Sequence, residues 1–505
     1  METEQNNKNK QIIDKIKKGL SVVEEFVNRA IYTDWFLIGT LVICFITWAT
    51  KCAPFGIIAM GILLSFVMIF SRDILVIFSG ALSSSLMLYT QNTVEFLYLW
   101  PMLIPLGLSF VFFIVRNSFL KRKAGDKFQL GKLFFPQLAV SVALLLGGVG
   151  VVSGQVYLGS LTNILLLGVA GLVIYVLARN FTNADKSVDR PTYFAKVLAY
   201  IGVIVALQLF VVVAESGKAP ETWATAYWHV GWGNRNNIST YLLFTAPMCF
   251  YLATKYRYGI IYMFLGAIQY TALIVTFSRG GILFGFIALV FGIVFLLIKS
   301  KNRKHQIVNL AIVAGVLLLL YLCFMDFVNA VFTSLLSRGT GVSGRDSLYS
   351  EAWELFKQNP VQGNGLGFVG SYGIFGNMVQ MYWFHSTLFQ VLACMGIIGI
   401  LAYGYSYVMK GIILGKNIRN GFNLFVVVVF IGFEGYSMMD TGTFIPGGYP
   451  LIVLILMSIV EIFTSTPEAV AFDKLEMQVE KEKATAQKRA DKISPKLEKL
   501  RASCN

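Results

Sequence analysis

The sequence predicts an all-α polytopic membrane protein, with about fourteen transmembrane helices and one long outer loop containing helices of its own. Three observations predict this class. Of the 505 residues, 56% are hydrophobic and 14% aromatic, against 14% charged, the balance of a membrane chain. The apolar residues gather in runs of about 17 to 25, the length a helix needs to cross the hydrocarbon core. No run alternates polar and apolar residues at period two, so of the two structures that satisfy their backbone in lipid the helix is expected and the closed barrel is not.

Taken in order, the chain divides into an N-tail (1–33), a transmembrane domain (34–465) and a charged C-tail (466–505). In the N-tail, Ile12, Ile16, Leu20 and Val23 recur at helical spacing beside Lys15, Lys17 and Lys18, the pattern of a helix lying on an anionic inner leaflet. The expected spans centre near residues 42, 62, 81, 105, 143, 169, 205, 245, 268, 290, 315, 397, 429 and 457, with little polar sequence separating the second from the third. The first apolar run begins near Trp35 and no small-residue cleavage site follows it, so no cleavable signal peptide is expected. The C-tail, rich in Glu, Lys and Ala with Phe472, Leu475 and Val479 on one face, is expected as a solvated helix or short coiled segment.

Charge sets the orientation. With the N-terminus cytoplasmic and sides alternating, all of the 42 Lys and Arg except Lys51, Lys218, Arg235, Arg279, Arg338, Arg345 and Lys357 fall on the inner side. This satisfies the positive-inside rule. The net charge of +15 therefore marks a basic face toward anionic lipid, and nucleic acid is not an expected partner. The six cysteines show no metal or redox spacing and are expected to pack.

The outer side then holds three unusual segments. Residues 215–237 are dense in Trp and polar groups, with Trp223, Trp228, His229, Trp232, Arg235 and Asn237. The junction TFSRGG (276–281) sets Arg279 between two strongly apolar runs. The longest segment, 326–384, contains SGRDSLYSEAWELFKQNP, in which a helix is expected to start at Ser343 or shortly after and to stop before Pro360. Its expected apolar face joins Arg345 to Tyr349, Ala352, Trp353 and Phe356. A glycine run follows, with Gly363, Gly365, Gly367 and Gly370, and then His385 at the mouth of the next span. Arg235, Arg279, Arg345 and His385 thus share one face although different segments supply them. Guanidinium groups keep their charge and grip phosphate oxygens as a fork, so a diphosphate suits such a cluster, and histidine adds proton exchange near neutral pH.

The order TFSRGG, the long loop SGRDSLYSEAWELFKQNPVQGNGLGFVG and then HSTLFQVLACMGIIGILAYG, with GWGNRNNIST upstream, resembles the O-antigen ligase and polymerase superfamily over roughly residues 228–408. That resemblance implies a metal-independent, cofactor-free membrane glycosyltransferase of the bacterial cytoplasmic membrane. It would transfer a glycan from a polyprenyl-diphosphate carrier to an acceptor hydroxyl on the outer face. Arg279 and Arg345 match the family's arginine positions and His385 its histidine; Arg235, Asn237, His229, Trp232, Gly363 and Gly365 are the expected substrate-binding residues. One departure is that Ser386, rather than Asn, follows the histidine. Implied partners are the carrier-linked donor, a glycan or lipid acceptor, the bilayer and other polysaccharide-assembly proteins. Within the family a polymerase of surface polysaccharide is favoured over a ligase that attaches glycan to a lipid core or protein. A flippase, the alternative from another class, fits less well because the suspect charges gather at one face.

Overall fold

The computed structural model describes residues 2–90, 93–148, 164–183, 188–256, 258–300, 302–337, 345–366, 383–440, 442 and 449–504. Ser343, Gly367, Gly370 and Arg338 lie outside the described residues. Among those described the chain is all-helical and has no strand, only an isolated bridge from His229 to Asn234. Each of the fourteen expected centres falls inside a helix.

Among the described residues, six helices are long and apolar enough to cross a membrane, or eight if each of two bent pairs counts as one span. The shortfall from fourteen has a physical reason. Helices such as Ile74–Ser85 and Gly259–Val275 rise only about 1.5 Å per residue, so alone they fall short of a hydrocarbon core of about 30 Å.

We number the helices α1 (Glu2–Ala30), α2 (Asp34–Ala49), α3 (Ala53–Phe70), α4 (Ile74–Ser85), α5 (Leu103–Lys123), α6 (Phe134–Gly148), α7 (Ala170–Phe181), α8 (Arg190–Glu215) and α9 (Arg235–Lys255). The second half continues with α10 (Gly259–Val275), α11 (Arg279–Lys299), α12 (Arg303–Cys323), α13 (Met325–Ser337), α14 (Arg345–Gln358), α15 (Thr387–Gly415), α16 (Gly421–Ser437), α17 (Tyr449–Ile459) and α18 (Pro467–Cys504).

The centre of the bundle is α9, buried continuously from Asn237 to Ala253 and packed by α8, α10, α11 and α16. A helix buried all round must satisfy its polar side chains within the protein. Thr245 accordingly donates to Gln269 at 2.7 Å, and Gln269 donates to the Ala199 carbonyl at 2.9 Å. Toward the periphery the order reverses: Leu103, Leu108, Val111 and Phe119 of α5 are exposed, an apolar surface suited to lipid.

Several basic residues counted as loop charges sit inside helices. Arg190 and Asp73 are both buried and paired at 3.1 Å, and the Tyr32 hydroxyl donates to the same carboxylate at 2.7 Å. Lys410, expected in an inner connection, lies within α15 and faces Glu434 of α16 at 3.8 Å, while Tyr407 donates to Glu434 at 2.8 Å. At the tails, α1 is tied down by Glu24, which bridges Arg72 at 2.7 Å and Arg116 at 2.6 Å. The C-tail is the expected helix, with Phe472, Leu475 and Val479 exposed.

Candidate functional site

TFSRGG is a tight break between α10 and α11. Thr276 ends α10, and its hydroxyl oxygen accepts bonds from Ser239 Oγ at 2.9 Å and from the Ser278 backbone at 3.2 Å. Between them Phe277 is held at φ 54° with its ring buried. A non-glycine residue in this left-handed region costs of order 1–3 kcal/mol and persists only where its surroundings over-determine it. Gly280 and Gly281 belong to the first turn of α11 rather than loosening the break. A Cβ at Gly281 would come within 2.7 Å of Ser239 Cβ, and one at Gly280 within 2.9 Å of the Tyr436 ring, so these positions let α11 close against α9 and α16.

The break aims Arg279 from the first position of α11, and Arg235 is placed in the same way, as the first residue of α9 behind an Asn234 capping box, while Arg345 belongs to α14. A cation at a helix N-terminus opposes the helix dipole, at roughly 0.3–1 kcal/mol each. Here the three arginines also oppose one another, since the charges of Arg279 and Arg345 both act on Arg235. All three are half-buried. Three guanidinium groups beside two positive helix ends are an arrangement that can hold an anion.

His385 lies beside this cluster, also in the left-handed region at φ 50°. Its Nδ1 is 3.2 Å from Asp440 Oδ1. The other Asp440 oxygen accepts from the Tyr436 hydroxyl at 3.2 Å, and Tyr436 shares a 2.9 Å bond with Ser278 Oγ. A continuous polar chain therefore runs from the imidazole back to the arginine break. Asp440, Tyr436 and Ser278 are all buried. The α14 helix closes the site from the side: Arg345 Nη1 donates to the Met439 carbonyl, and the Tyr349 hydroxyl donates to the His385 carbonyl at 3.2 Å. The Tyr349 ring stacks on Phe389 at 4.4 Å between centroids. Burial raises the pKa of this phenol, so it serves as a neutral donor.

The buried face of α14 differs from the expected one. Ala352 and Leu355 are buried, whereas Trp353 is exposed.

The remaining predicted residues sit around this centre rather than in it. Trp232 points into the bundle, donating to Gln208 at 2.9 Å and packing edge-on against Tyr241. Asn237 uses its side-chain oxygen to accept from the Asn234 backbone at 3.0 Å. Burial holds the His229 imidazole below its usual pKa, and its Nδ1 accepts from the Gly231 N–H at 3.1 Å. Trp223 packs against Trp228 and Phe327, fastening the segment 215–237 to α13. Gly363 and Gly365 lie against a break in α15 at Gly396, where Gly365 N–H donates to the Cys394 carbonyl at 3.0 Å and Ile397 N–H to the Pro360 carbonyl at 2.8 Å. Asp440, Tyr436 and Tyr349 are the site residues that sequence reasoning missed. A search of the outer face for acids as well as cations would have found Asp440, in SMMDTG between two spans.

No curated protein matches this chain. A family model described as O-antigen ligase matches residues 261–404, the stretch that carries Arg279, Arg345 and His385 on one face of an all-helical, apolar bundle. The chain is an integral membrane protein, and the match over residues 261–404 supports its resemblance to the O-antigen ligase and polymerase superfamily.

Proposed function

We propose that the protein is a glycosyltransferase of the bacterial cytoplasmic membrane that extends a surface polysaccharide on the outer face. It takes a glycan from a polyprenyl-diphosphate carrier and passes it to an acceptor sugar hydroxyl. The convergence of Arg235, Arg279 and Arg345 beside His385 and Asp440 carries this assignment.

The chemistry follows from the charges. As the bond from the anomeric carbon to the carrier oxygen breaks, negative charge grows on the leaving diphosphate. Three guanidinium groups already fixed in place stabilise that charge without having to reorganise, which is the largest electrostatic contribution such sites make. The acceptor hydroxyl forms the new bond to the anomeric carbon and loses its proton. With Nδ1 turned to Asp440, His385 offers Nε2 to that proton, and Asp440 stabilises the imidazolium that results. The α14 helix, held against the site by Arg345 and Tyr349, shields the donor from water and limits hydrolysis of the carrier. Arg235 holds the diphosphate, and the Trp-rich segment borders the glycan. The fourteen-pass arrangement, with both termini cytoplasmic, rests on the distribution of Lys and Arg.

The ligase reading stands second, supported by the description of the matching family model. Analysis of carrier-linked glycans that accumulate in a deletion strain separates the readings. A polymerase leaves single repeat units on the carrier. Long unattached chains would point to a ligase, and material held on the inner face would point to a flippase.

A further inference from the structure

A second convergence of cations lies at the far end of α15 from His385. Lys132 just precedes α6, Arg179 is in the last turn of α7, Lys416 directly follows α15, and Glu461 lies in the turn Val460–Thr464 after α17. Elements far apart in sequence thus bring Arg179 and Lys132 to one carboxylate, with Lys416 acting on Lys132. That carboxylate is already engaged: Glu461 Oε2 accepts from the Tyr175 hydroxyl at 2.6 Å, and Oε1 from the Lys132 backbone N–H at 3.0 Å. Arg179 Nε stands 3.6 Å from Oε1, is buried, and has no hydrogen-bond partner among the described residues.

The charges of Lys132 and Lys416 act on each other, and each ammonium group is a donor that cannot accept. Burial, and after it Lys416, hold Lys132 below the ordinary lysine pKa, with Glu461 pulling the other way. Lys121 is turned aside onto Asn180 Oδ1 at 2.8 Å. Arg179 and Lys132 therefore share the Glu461 carboxylate, with the charge of Lys416 acting on Lys132 as well.

The loop that carries Lys132 is built to hold it there. Gly131 adopts φ 78°, and a Cβ at that position would fall 2.2 Å from the Tyr175 hydroxyl. The Leu133 N–H donates to the same hydroxyl at 3.0 Å. Exposed apolar side chains flank the cluster in sequence: Phe128, Leu130 and Phe135 near Lys132, and Ile412 and Ile418 on either side of Lys416.

We propose that Lys132, Arg179 and Lys416 form a binding site for the phosphate of an anionic phospholipid, on the face of the membrane domain opposite the arginine–histidine site. A phosphate presents acceptor oxygens to both ammonium groups and to the unsatisfied Arg179 Nε, and it neutralises their mutual repulsion. The flanking apolar side chains receive the acyl chains. Basic pockets between membrane helices recognise lipid head groups by this same combination.

Thermal unfolding of the full-length protein, purified in detergent and stripped of lipid, tests the proposal. Added phosphatidylglycerol raises the wild-type midpoint by about 2–4 °C, and phosphatidylcholine does not. The K132Q/K416Q variant loses that response. The R303Q/K304Q variant, which removes as much charge at exposed positions, keeps it. Lys416 is exposed, so K416Q alone provides a folded variant if the double change does not fold, and it weakens the response several-fold. Without lipid, K416Q melts above wild type, because the repulsion on Lys132 is gone. If inorganic phosphate alone produces the shift, the anion site stands and its ligand is a soluble phosphate. A phosphatidylglycerol response in K132Q/K416Q equal to wild type, or an equal shift with phosphatidylcholine, overturns the proposal.

Discussion

Asp440 sets the orientation of His385, and the two residues have separable consequences. With one oxygen on His385 Nδ1 and the other on the Tyr436 hydroxyl, the carboxylate fixes both the direction of the ring and its tautomer. Asp440→Asn keeps the shape and removes the charge that stabilises an imidazolium. Turnover of purified protein on carrier-linked repeat units should fall by about 10²-fold or more, with the unfolding midpoint nearly unchanged. A residue that only packs would show the reverse: a lower midpoint and normal turnover. Arg279 allows a different comparison, because Lys keeps the charge but lacks the planar fork. Arg279→Ala should cost about 10²–10³-fold in turnover and Arg279→Lys distinctly less, measured in the same assay.

At the scale of the element, the site depends on how helices begin and break. Arg235 and Arg279 each open a helix. This local choice works against the helix dipole and makes sense only if an anion arrives. The break at Gly396 in α15 is the other element-scale device. The strand of backbone from Pro360 to Leu366 bonds across the carbonyls and amides exposed there, which fixes the end of α14 against α15. Deeper in the bundle, Glu434 and Lys410 form a buried pair, and removing one partner leaves the other charge stranded. Glu434→Ala should therefore destabilise the protein by about 3 kcal/mol. The double variant Glu434→Gln with Lys410→Met should recover most of that loss, as read from unfolding midpoints in detergent.

At the scale of the molecule, hydropathy made the helical class legible, and each expected centre falls inside a helix. A run of apolar side chains in lipid has few other structures open to it. Length was less legible, because hydropathy does not reveal where a helix is cut short by a break or bent by packing; the shortness of α4 and α10 is a tertiary property. The same limit hid the internal pairs. Lys410 and Arg190 look like loop charges until Glu434 and Asp73 are seen to meet them. That Arg235, Arg279, Arg345 and His385 share one face was readable from topology and motif together, since three lie at helix ends and Arg345 in the outer segment between them. The pairing of Asp440 with His385 and Tyr436 was not, because it comes from a contact between the end of α16 and the start of α15 that no spacing encodes. Gly363 and Gly365 stood out by type, but only the fold shows what they touch.

Binding of the polyprenyl diphosphate carrier to the purified full-length protein tests the central claim most directly. The arrangement of Arg235, Arg279 and Arg345 predicts that each single alanine variant weakens carrier binding by about tenfold or more, as the loss of one charge-assisted contact implies, while the fold persists. Equal carrier affinity in the wild type and in the folded R235A/R279A/R345A variant would contradict it.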